Sequence, residues 1–192
     1  AGLRWIEKRP AGIPVREEDL LRLHAIISAG AMDQRAAGRY RDIRVRVGPH
    51  IPPRPEKVHG LMTELLDWWN GPSREWTPVV SSAVLHFRFE EIHPFADGNG
   101  RAGRTLALWD LYRRGFDTHH VFSVDEFFWE QRPRYYAELD AAGRGDLTPW
   151  LEFSAEAIQT TLERVRGRMA DLRAGSGPEK LVLRPRQERL LA

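Results

Sequence analysis

Residues 93–104, near the middle of the chain, carry an unusual concentration of side chains that can do chemistry. The stretch reads His-Pro-Phe-Ala-Asp-Gly-Asn-Gly-Arg-Ala-Gly-Arg, which supplies an imidazole, a carboxylate, an amide, two guanidinium groups and three glycines. Burying so many polar groups without partners would cost several kcal/mol, so a hydrophobic core does not explain them. A polar, glycine-rich loop between apolar segments is where a functional site is expected.

The glycines and arginines of this stretch indicate an anion site. Gly98 and Gly100 flank Asn99 where a helix is predicted to begin, so backbone N–H groups and the positive helix end would face a bound anion. Arg101 and Arg104 lie on the first turn of that helix, and both can reach the same space. Two guanidinium groups beside such a loop favour a polyphosphate over a single carboxylate. A plain turn is the structural alternative for the glycines.

Asp97 and His93 add a metal ligand and a proton acceptor to this anion site. A carboxylate beside phosphates is the usual protein ligand of Mg²⁺, which takes its other ligands from phosphate and water. The structural alternative for Asp97 is a helix cap, and for His93 a packed or capping residue. His93 is the group in the stretch that exchanges protons near neutral pH, and the Pro94-Phe95 turn would hold it in place. A base beside a magnesium–polyphosphate site predicts activation of a hydroxyl group that attacks phosphorus.

The elements that must position this stretch are predicted to be mainly helical. Hydrophobic residues at helical spacing predict helices from 17 to about 29, 55–70, 78–91, 101–114, 133–143 and 148–172, with a capping-box pattern at 123–126 before another short segment. Residues 40–47 alternate polar and apolar side chains, which predicts a short strand in a β-hairpin bordered by prolines. The fold class is therefore mainly α, with six to eight helices and one small hairpin.

The ends of the chain are interpreted separately. Residues 1–16 contain prolines and glycines and are predicted to be an irregular lead-in. Residues 175–192 begin with Gly-Ser-Gly-Pro and are predicted to be a linker followed by the start of a truncated C-terminal segment.

Composition narrows the class of protein. The chain has 192 residues, of which 42% are hydrophobic, enough for one domain with a substantial core. It has no cysteine, which argues against a disulfide framework or a thiolate metal site. The net charge is only +2 and no concentrated basic stripe is present, so a nucleic-acid partner is not indicated for this domain. Without a long apolar run or a signal-peptide pattern, we expect a cytoplasmic protein with no membrane partner, while secretion as an effector stays open.

Residues 93–104 match the motif HPFx(D/E)GNGRxxR position for position, and the sequence resembles the Fic family over about residues 17–172. Glu90-Glu91-Ile92 before the motif and Tyr135-Tyr136 after it are part of this similarity. The resemblance implies a Fic-type helical bundle over residues 17–174 with a β-hairpin flap. It also implies a protein adenylyltransferase, which transfers AMP from ATP-Mg to a Ser, Thr or Tyr hydroxyl of a target protein and releases pyrophosphate.

The resemblance implies a role for each matching residue. The catalytic residues would be His93 as general base, Asn99 near the α-phosphate, and Arg101. Asp97 would bind Mg²⁺, and Phe95 would anchor the loop. The ATP-binding residues would be Gly98, Asn99, Gly100, Arg101, Arg104 and, on the adenine side, Tyr136. The flap that docks an extended segment of the target by strand addition would carry Ile43, Val45, Val47 and His50.

Two departures and several alternatives accompany this resemblance. The inhibitory pattern (S/T)xxxE(G/N) of many Fic proteins is not found, so we expect that this brake is missing or lies outside the 192 residues. Gly100 stands where phosphotransferring Doc relatives have Lys, which favours nucleotidyl transfer. De-AMPylation, another nucleotide or phosphocholine donor, and a non-catalytic binding module attached to a DNA-binding segment stay open as alternatives, as does a homodimer.

Overall fold

The computed structural model describes residues 2–30, 36–116 and 123–173, and these ranges are mainly α-helical, as predicted. They contain one short 3₁₀ helix, Pro72–Glu75, and eight α-helices. The α-helices are α1 Gly2–Glu7, α2 Glu17–Ser28, α3 Pro55–Asn70, α4 Pro78–Ile92, α5 Asn99–Arg113, α6 Asp125–Glu130, α7 Arg132–Gly143 and α8 Thr148–Arg173. The linker and C-terminal segment predicted at 175–192 lie outside the described residues.

Helices α4 and α5 form the centre of the bundle. α4 begins at Pro78 after Thr77, whose side-chain oxygen accepts a hydrogen bond from the N–H of Val80. The two helices run antiparallel, since Ser82 donates to the carbonyl of Ala107 near one end of the pair, while the other ends are joined by the short loop of residues 93–98. That loop is the first half of the stretch singled out in the sequence.

Two hydrophobic cores enclose the α4–α5 pair from opposite sides. One core is built with α1, α2 and α3 and includes Trp69, whose ring nitrogen donates to Asp110 Oδ1 at 2.7 Å. The other is built with α6, α7 and α8 and includes Trp150, whose ring nitrogen donates to the carbonyl of Ala83 at 2.8 Å. Burial of large apolar side chains on both sides fixes the two central helices, and with them the loop that joins them.

The lead-in predicted at 1–16 differs from the structure at its beginning. Residues 2–7 form helix α1, which buries Ile6 and sets Trp5 edge-on against Trp109 at 5.6 Å between ring centroids. A helix of six residues is too short to show a hydrophobic period, and it is stabilised by tertiary packing rather than by its own propensity.

The predicted strand over residues 40–47 does not form. In this segment the structure has a single antiparallel bridge, in which Val47 and His50 exchange backbone hydrogen bonds of 3.0 and 3.1 Å around Gly48, whose φ is +57°. The physical reason is the buried side chain of Arg41, whose guanidinium group donates to the carbonyls of Ile43 and Pro53 and so replaces a neighbouring strand. The β-hairpin flap is thereby reduced to one tight turn.

None of the helices in the described ranges combines sufficient length with sufficient apolar character to cross a bilayer.

Candidate active site

His93 occupies a strained backbone position at the end of α4. Its φ and ψ are 49° and 60°, the left-handed region that non-glycine residues seldom adopt, and its N–H still donates to the carbonyl of Phe89. Arg41 stabilises this turn, since its guanidinium group donates to the carbonyls of Ile92 and His93 and its N–H donates to that of Pro94. Sequence reasoning assigned Arg41 only to a strand and missed this function.

The imidazole of His93 faces a carboxylate from its own helix. His93 Nδ1 lies 3.5 Å from Glu90 Oε2, and both Nδ1 and Glu90 Oε1 are buried without a hydrogen bond among the described residues. The carboxylate fits between α4 and α5 because residue 103 is glycine, where a Cβ would stand 2.6 Å from Glu90 Oε1. The pair places a negative charge beside Nδ1 and leaves Nε2 to act as the proton acceptor.

Asn99 and Phe95 shape the loop between the two helices. The Asn99 amide accepts from the N–H of Phe95 at 2.9 Å and donates to its carbonyl at 2.8 Å, while both residues are almost completely buried. Phe95 also stacks on the ring of His24, with 3.6 Å between centroids and 5° between planes. Phe95 therefore lies where an anchor was expected, whereas the amide of Asn99 is engaged in holding the loop.

His24 of α2 ties the loop to the rest of the protein. The N–H of Gly38 donates to Nδ1 at 2.9 Å, and the hydrogen-bond pattern then assigns the proton to Nε2, which donates to the carbonyl of Asp97 at 2.9 Å. Burial lowers the pKa of His24, in agreement with this neutral form. Gly98 has φ +81°, and a Cβ there would lie 3.0 Å from His24 Nε2. In the sequence His24 gave no signal beyond helical spacing.

Asp97 presents its carboxylate at the open side of the loop, where it is 64% exposed. Oδ1 accepts from the N–H of Gly98 at 2.6 Å, and Oδ2 lies 3.8 Å from Arg101 Nη2. In the described part of the chain no group of three or more His, Cys, Asp or Glu side chains converges on a metal position. A cation held here would have Asp97 as its protein ligand, which fits the manner in which Mg²⁺ binds through phosphate and water.

The two arginines of the motif lie beside the first turn of α5, whose N–H groups lack helical partners. Arg101 donates from Nη1 to the carbonyl of Ile27 at 3.2 Å. Arg104 is held by Asp125 of α6, with 2.6 Å between Nε and Oδ1, and its Nη1 lies 3.1 Å from the position of a Cβ on Gly100. Both guanidinium groups therefore border the helix start at which Gly98 and Gly100 were predicted to bind an anion.

Two of the residues predicted to bind ATP or the target, Tyr136 and His50, lie outside the motif and on different parts of the fold. Tyr136 lies on α7, half exposed, in contact with Tyr135 and 5.7 Å from the guanidinium carbon of Arg132. His50 is brought to the end of α4, where its Nε2 is 3.0 Å from the carbonyl of Glu91.

The other predicted flap residues lie on the segment before that turn. Ile43 is exposed, and Val45 and Val47 are half-buried. The structure thus joins the turn, though not a strand, to the site.

Comparison with known proteins supplies the family. A family model described as Fic/DOC family matches residues 14–111, about half of the chain. The protein adenylyltransferase Fic of Drosophila willistoni is 35% identical over 156 residues, which cover 81% of this chain and 30% of that protein. The protein adenylyltransferase fic-1 of Caenorhabditis elegans is 34% identical over 169 residues, covering 86% of this chain and 32% of that protein. The chain thus spans about a third of the length of these curated relatives.

Solved structures of similar proteins agree in fold. A Fic family protein from Desulfovibrio desulfuricans has a TM-score of 0.74 and 31% identity, covering 87% of this chain and 51% of that one. Fic-1 from C. elegans, residues 134–508, has a TM-score of 0.75 and 29% identity, covering 88% of this chain and 49% of that one. The family model and these relatives agree with the motif of residues 93–104 and with the helical bundle around it. The chain belongs to the Fic/DOC family.

Proposed function

We propose that this chain is a protein adenylyltransferase, which transfers AMP from ATP to a Ser, Thr or Tyr hydroxyl of a target protein and releases pyrophosphate. The observation that carries the proposal is the placement of His93 at the end of α4, beside an α5 helix start bordered by Arg101 and Arg104. The relatives named protein adenylyltransferase support it at 34–35% identity.

Phosphate binding in this proposal is the task of α5. The N–H groups of Asn99 and Gly100 at the start of α5, with the guanidinium groups of Arg101 and Arg104, would stabilise the negative charge of the phosphates, while the N–H of Gly98 is already bonded to Asp97. Asp97 is the residue suited to hold Mg²⁺, which would neutralise charge on the phosphate oxygens. We assign the α-phosphate to the helix start and the β- and γ-phosphates to the two arginines.

His93 performs the proton transfer in this proposal. Its Nε2 accepts the proton of the target hydroxyl while the hydroxyl oxygen forms a bond to the α-phosphorus. The bond between that phosphorus and the bridging oxygen breaks, and pyrophosphate leaves while the two arginines stabilise its negative charge. Glu90, 3.5 Å from Nδ1, would hold the imidazole in orientation during this transfer.

Docking of the target belongs to the same proposal. Residues 44–46 belong to no helix or strand of the described part of the chain, and Ile43 and Ile51 are exposed on either side of the turn. Such a segment can accept an extended peptide by strand addition. Since ATP and Mg²⁺ are abundant in the cytoplasm, we place the reaction there. We do not extend the proposal to a homodimer or to a nucleic-acid partner.

Intact-protein mass spectrometry tests the reaction and finds the substrate together. A cell lysate is incubated with the protein, ATP and Mg²⁺, and in parallel with the His93→Ala variant. We expect one or few species to gain the mass of AMP with the unmodified protein and none with the variant. A gain corresponding to phosphate or phosphocholine, or no gain from a protein that binds ATP, would overturn the proposal.

A further inference from the structure

Asp125, which lies on a different helix from the motif, forms an ion pair with the motif residue Arg104. Asp125 is the first residue of α6, and its Oδ1 lies 2.6 Å from Nε of Arg104. Both side chains are largely shielded from solvent, with 28% of Arg104 and 32% of Asp125 exposed. A hydrogen bond this short between two charged groups is among the stronger ones in proteins, and it fixes the direction of the guanidinium plane.

The contact with Asp125 uses one of the five N–H donors of the guanidinium group, the one on Nε. Tyr135 of α7 is a second polar neighbour of the same group. Nη1 meanwhile lies against Gly100, 3.1 Å from the position that a Cβ would occupy there. Arg104 is thus held at Nε, while its Nη1 lies at the start of α5, where the phosphates are proposed to bind.

Asp125 is itself held by Ser123 and by the packing of α6. Its N–H donates to Ser123 Oγ at 3.4 Å, and its Oδ2 accepts from the same hydroxyl at 3.3 Å. Phe127 and Phe128 of α6 are buried in the core formed with α7 and α8. The side chain of Arg104 is therefore positioned by that core, through Asp125, as well as by its own helix α5.

We propose that Asp125 is a positioning residue, which holds Arg104 in the orientation needed to bind the β- and γ-phosphates of ATP. This inference rests on the proposed function, because it takes ATP as the donor. When the anchor is lost, the long side chain of Arg104 regains rotamer freedom, because its hydrogen bond at Nε is gone. Binding of ATP then has to order the Arg104 side chain again, and this loss of conformational entropy weakens the binding.

Nucleotide binding to Asp125→Asn tests the proposal, with calorimetry on ATP and on AMP in the presence of Mg²⁺. We expect the dissociation constant of ATP to rise about tenfold, as for the loss of one preordered arginine contact. AMP, which lacks the β- and γ-phosphates, should change by less than about twofold. In the transfer reaction KM for ATP should rise more than kcat falls, and Asp125→Glu should recover part of the affinity.

Two controls separate positioning from a general loss of structure. Glu156→Gln removes a comparable pair between α8 and Arg134, 2.7 Å apart, and should leave ATP binding unchanged. Arg104→Ala should weaken ATP binding, and adding Asp125→Asn to it should have no further effect on affinity. Thermal unfolding of each variant checks that it is folded.

The outcomes are distinguishable from a failure of the proposed function. If the unmodified protein binds ATP and Asp125→Asn binds it equally well, the positioning role is wrong while the proposed function stands. Tighter ATP binding by Asp125→Asn would also overturn the inference, because it would show that the carboxylate competes with phosphate for Arg104. If the unmodified protein binds no ATP, the proposed function itself fails.

Discussion

Gly103→Ala is expected to lose the stability that alanine normally gains inside a helix, and to slow the proposed AMP transfer. Gly103 lies inside α5 and faces α4, where an added Cβ would stand 2.6 Å from Glu90 Oε1, 3.1 Å from His86 Cδ2 and 3.3 Å from Phe89 Cδ1. Because ordinary contacts of this kind begin at 3.4 Å, the carboxylate oxygen must retreat by roughly 0.8 Å. The rings of His86 and Phe89 are fully buried and cannot retreat with it.

The magnitude follows from two opposing terms. Alanine is favoured over glycine in a helix by about 1 kcal/mol. Overpacking of a closed interface costs about 1–3 kcal/mol. Gly103→Ala should therefore leave the free energy of unfolding unchanged or lower it by up to about 2 kcal/mol. Gly60, inside α3, has no atom within 4 Å of its added Cβ, so Gly60→Ala should gain about 1 kcal/mol and isolates the propensity term.

Denaturant unfolding of the unmodified protein, Gly103→Ala and Gly60→Ala measures both terms. For a chain of this length each kcal/mol corresponds to about 2–4 °C in Tm. Displacing Glu90 from His93 should also slow the proposed AMP transfer about 10- to 100-fold, while Gly60→Ala should leave its rate unchanged. A Gly103→Ala variant as stabilised and as active as Gly60→Ala would refute the view that the α4–α5 interface closes on Glu90.

Three further predictions concern buried polar groups. Burial lowers the pKa of His86 from 6.5 to about 4. Between these two pH values the unfolded chain binds a proton that the folded chain does not bind, so the free energy of unfolding falls as the pH is lowered toward 4. At pH 5 the contribution of His86 should be a loss of about 2 kcal/mol relative to pH 7 in urea unfolding, and His86→Phe should lose less stability than the unmodified protein by that amount, while the contribution of His24 remains. Asp110→Ala leaves the ring N–H of Trp69 without its acceptor and leaves the Ser81 hydroxyl only the carbonyl of Pro78 at 3.3 Å, so it should cost about 1–3 kcal/mol of unfolding free energy; a cost under about 0.5 kcal/mol would contradict the network. His24→Leu unties the loop from α2 and should weaken ATP binding about tenfold in calorimetry, and equal binding would show that the tie is dispensable.

The helices were predictable where the sequence carries both a period and a boundary signal. Pro55, Pro78 and Thr148 mark the beginnings of α3, α4 and α8 as expected, and the long hydrophobic period of α8 gave its length. Helix α1 was missed because six residues show no period. The strand at 40–47 was predicted wrongly because alternation cannot reveal that Arg41 would occupy the carbonyls that a partner strand needs.

The site divides in the same way. The motif residues could be singled out because they are consecutive and their combination of side chains is typical of phosphate transfer, while the role of each stays a prediction. Their supports were not, because each arrives through tertiary packing: His24 from α2, Asp125 from α6, and Glu90 through the space left by Gly103. Nothing in the local sequence around Asp125 or His24 indicates which loop or side chain it will meet.

The measurement that tests the proposed function most directly is label transfer from ATP in the presence of Mg²⁺, with the label placed either on the α-phosphate or on the γ-phosphate. We expect that α-label becomes covalently attached to protein, that γ-label does not, and that α-labelling is lost in a folded His93→Ala variant. Attachment of γ-label would show phosphoryl rather than nucleotidyl transfer. Attachment of α-label by His93→Ala at the normal rate would contradict the assignment of His93 as the base.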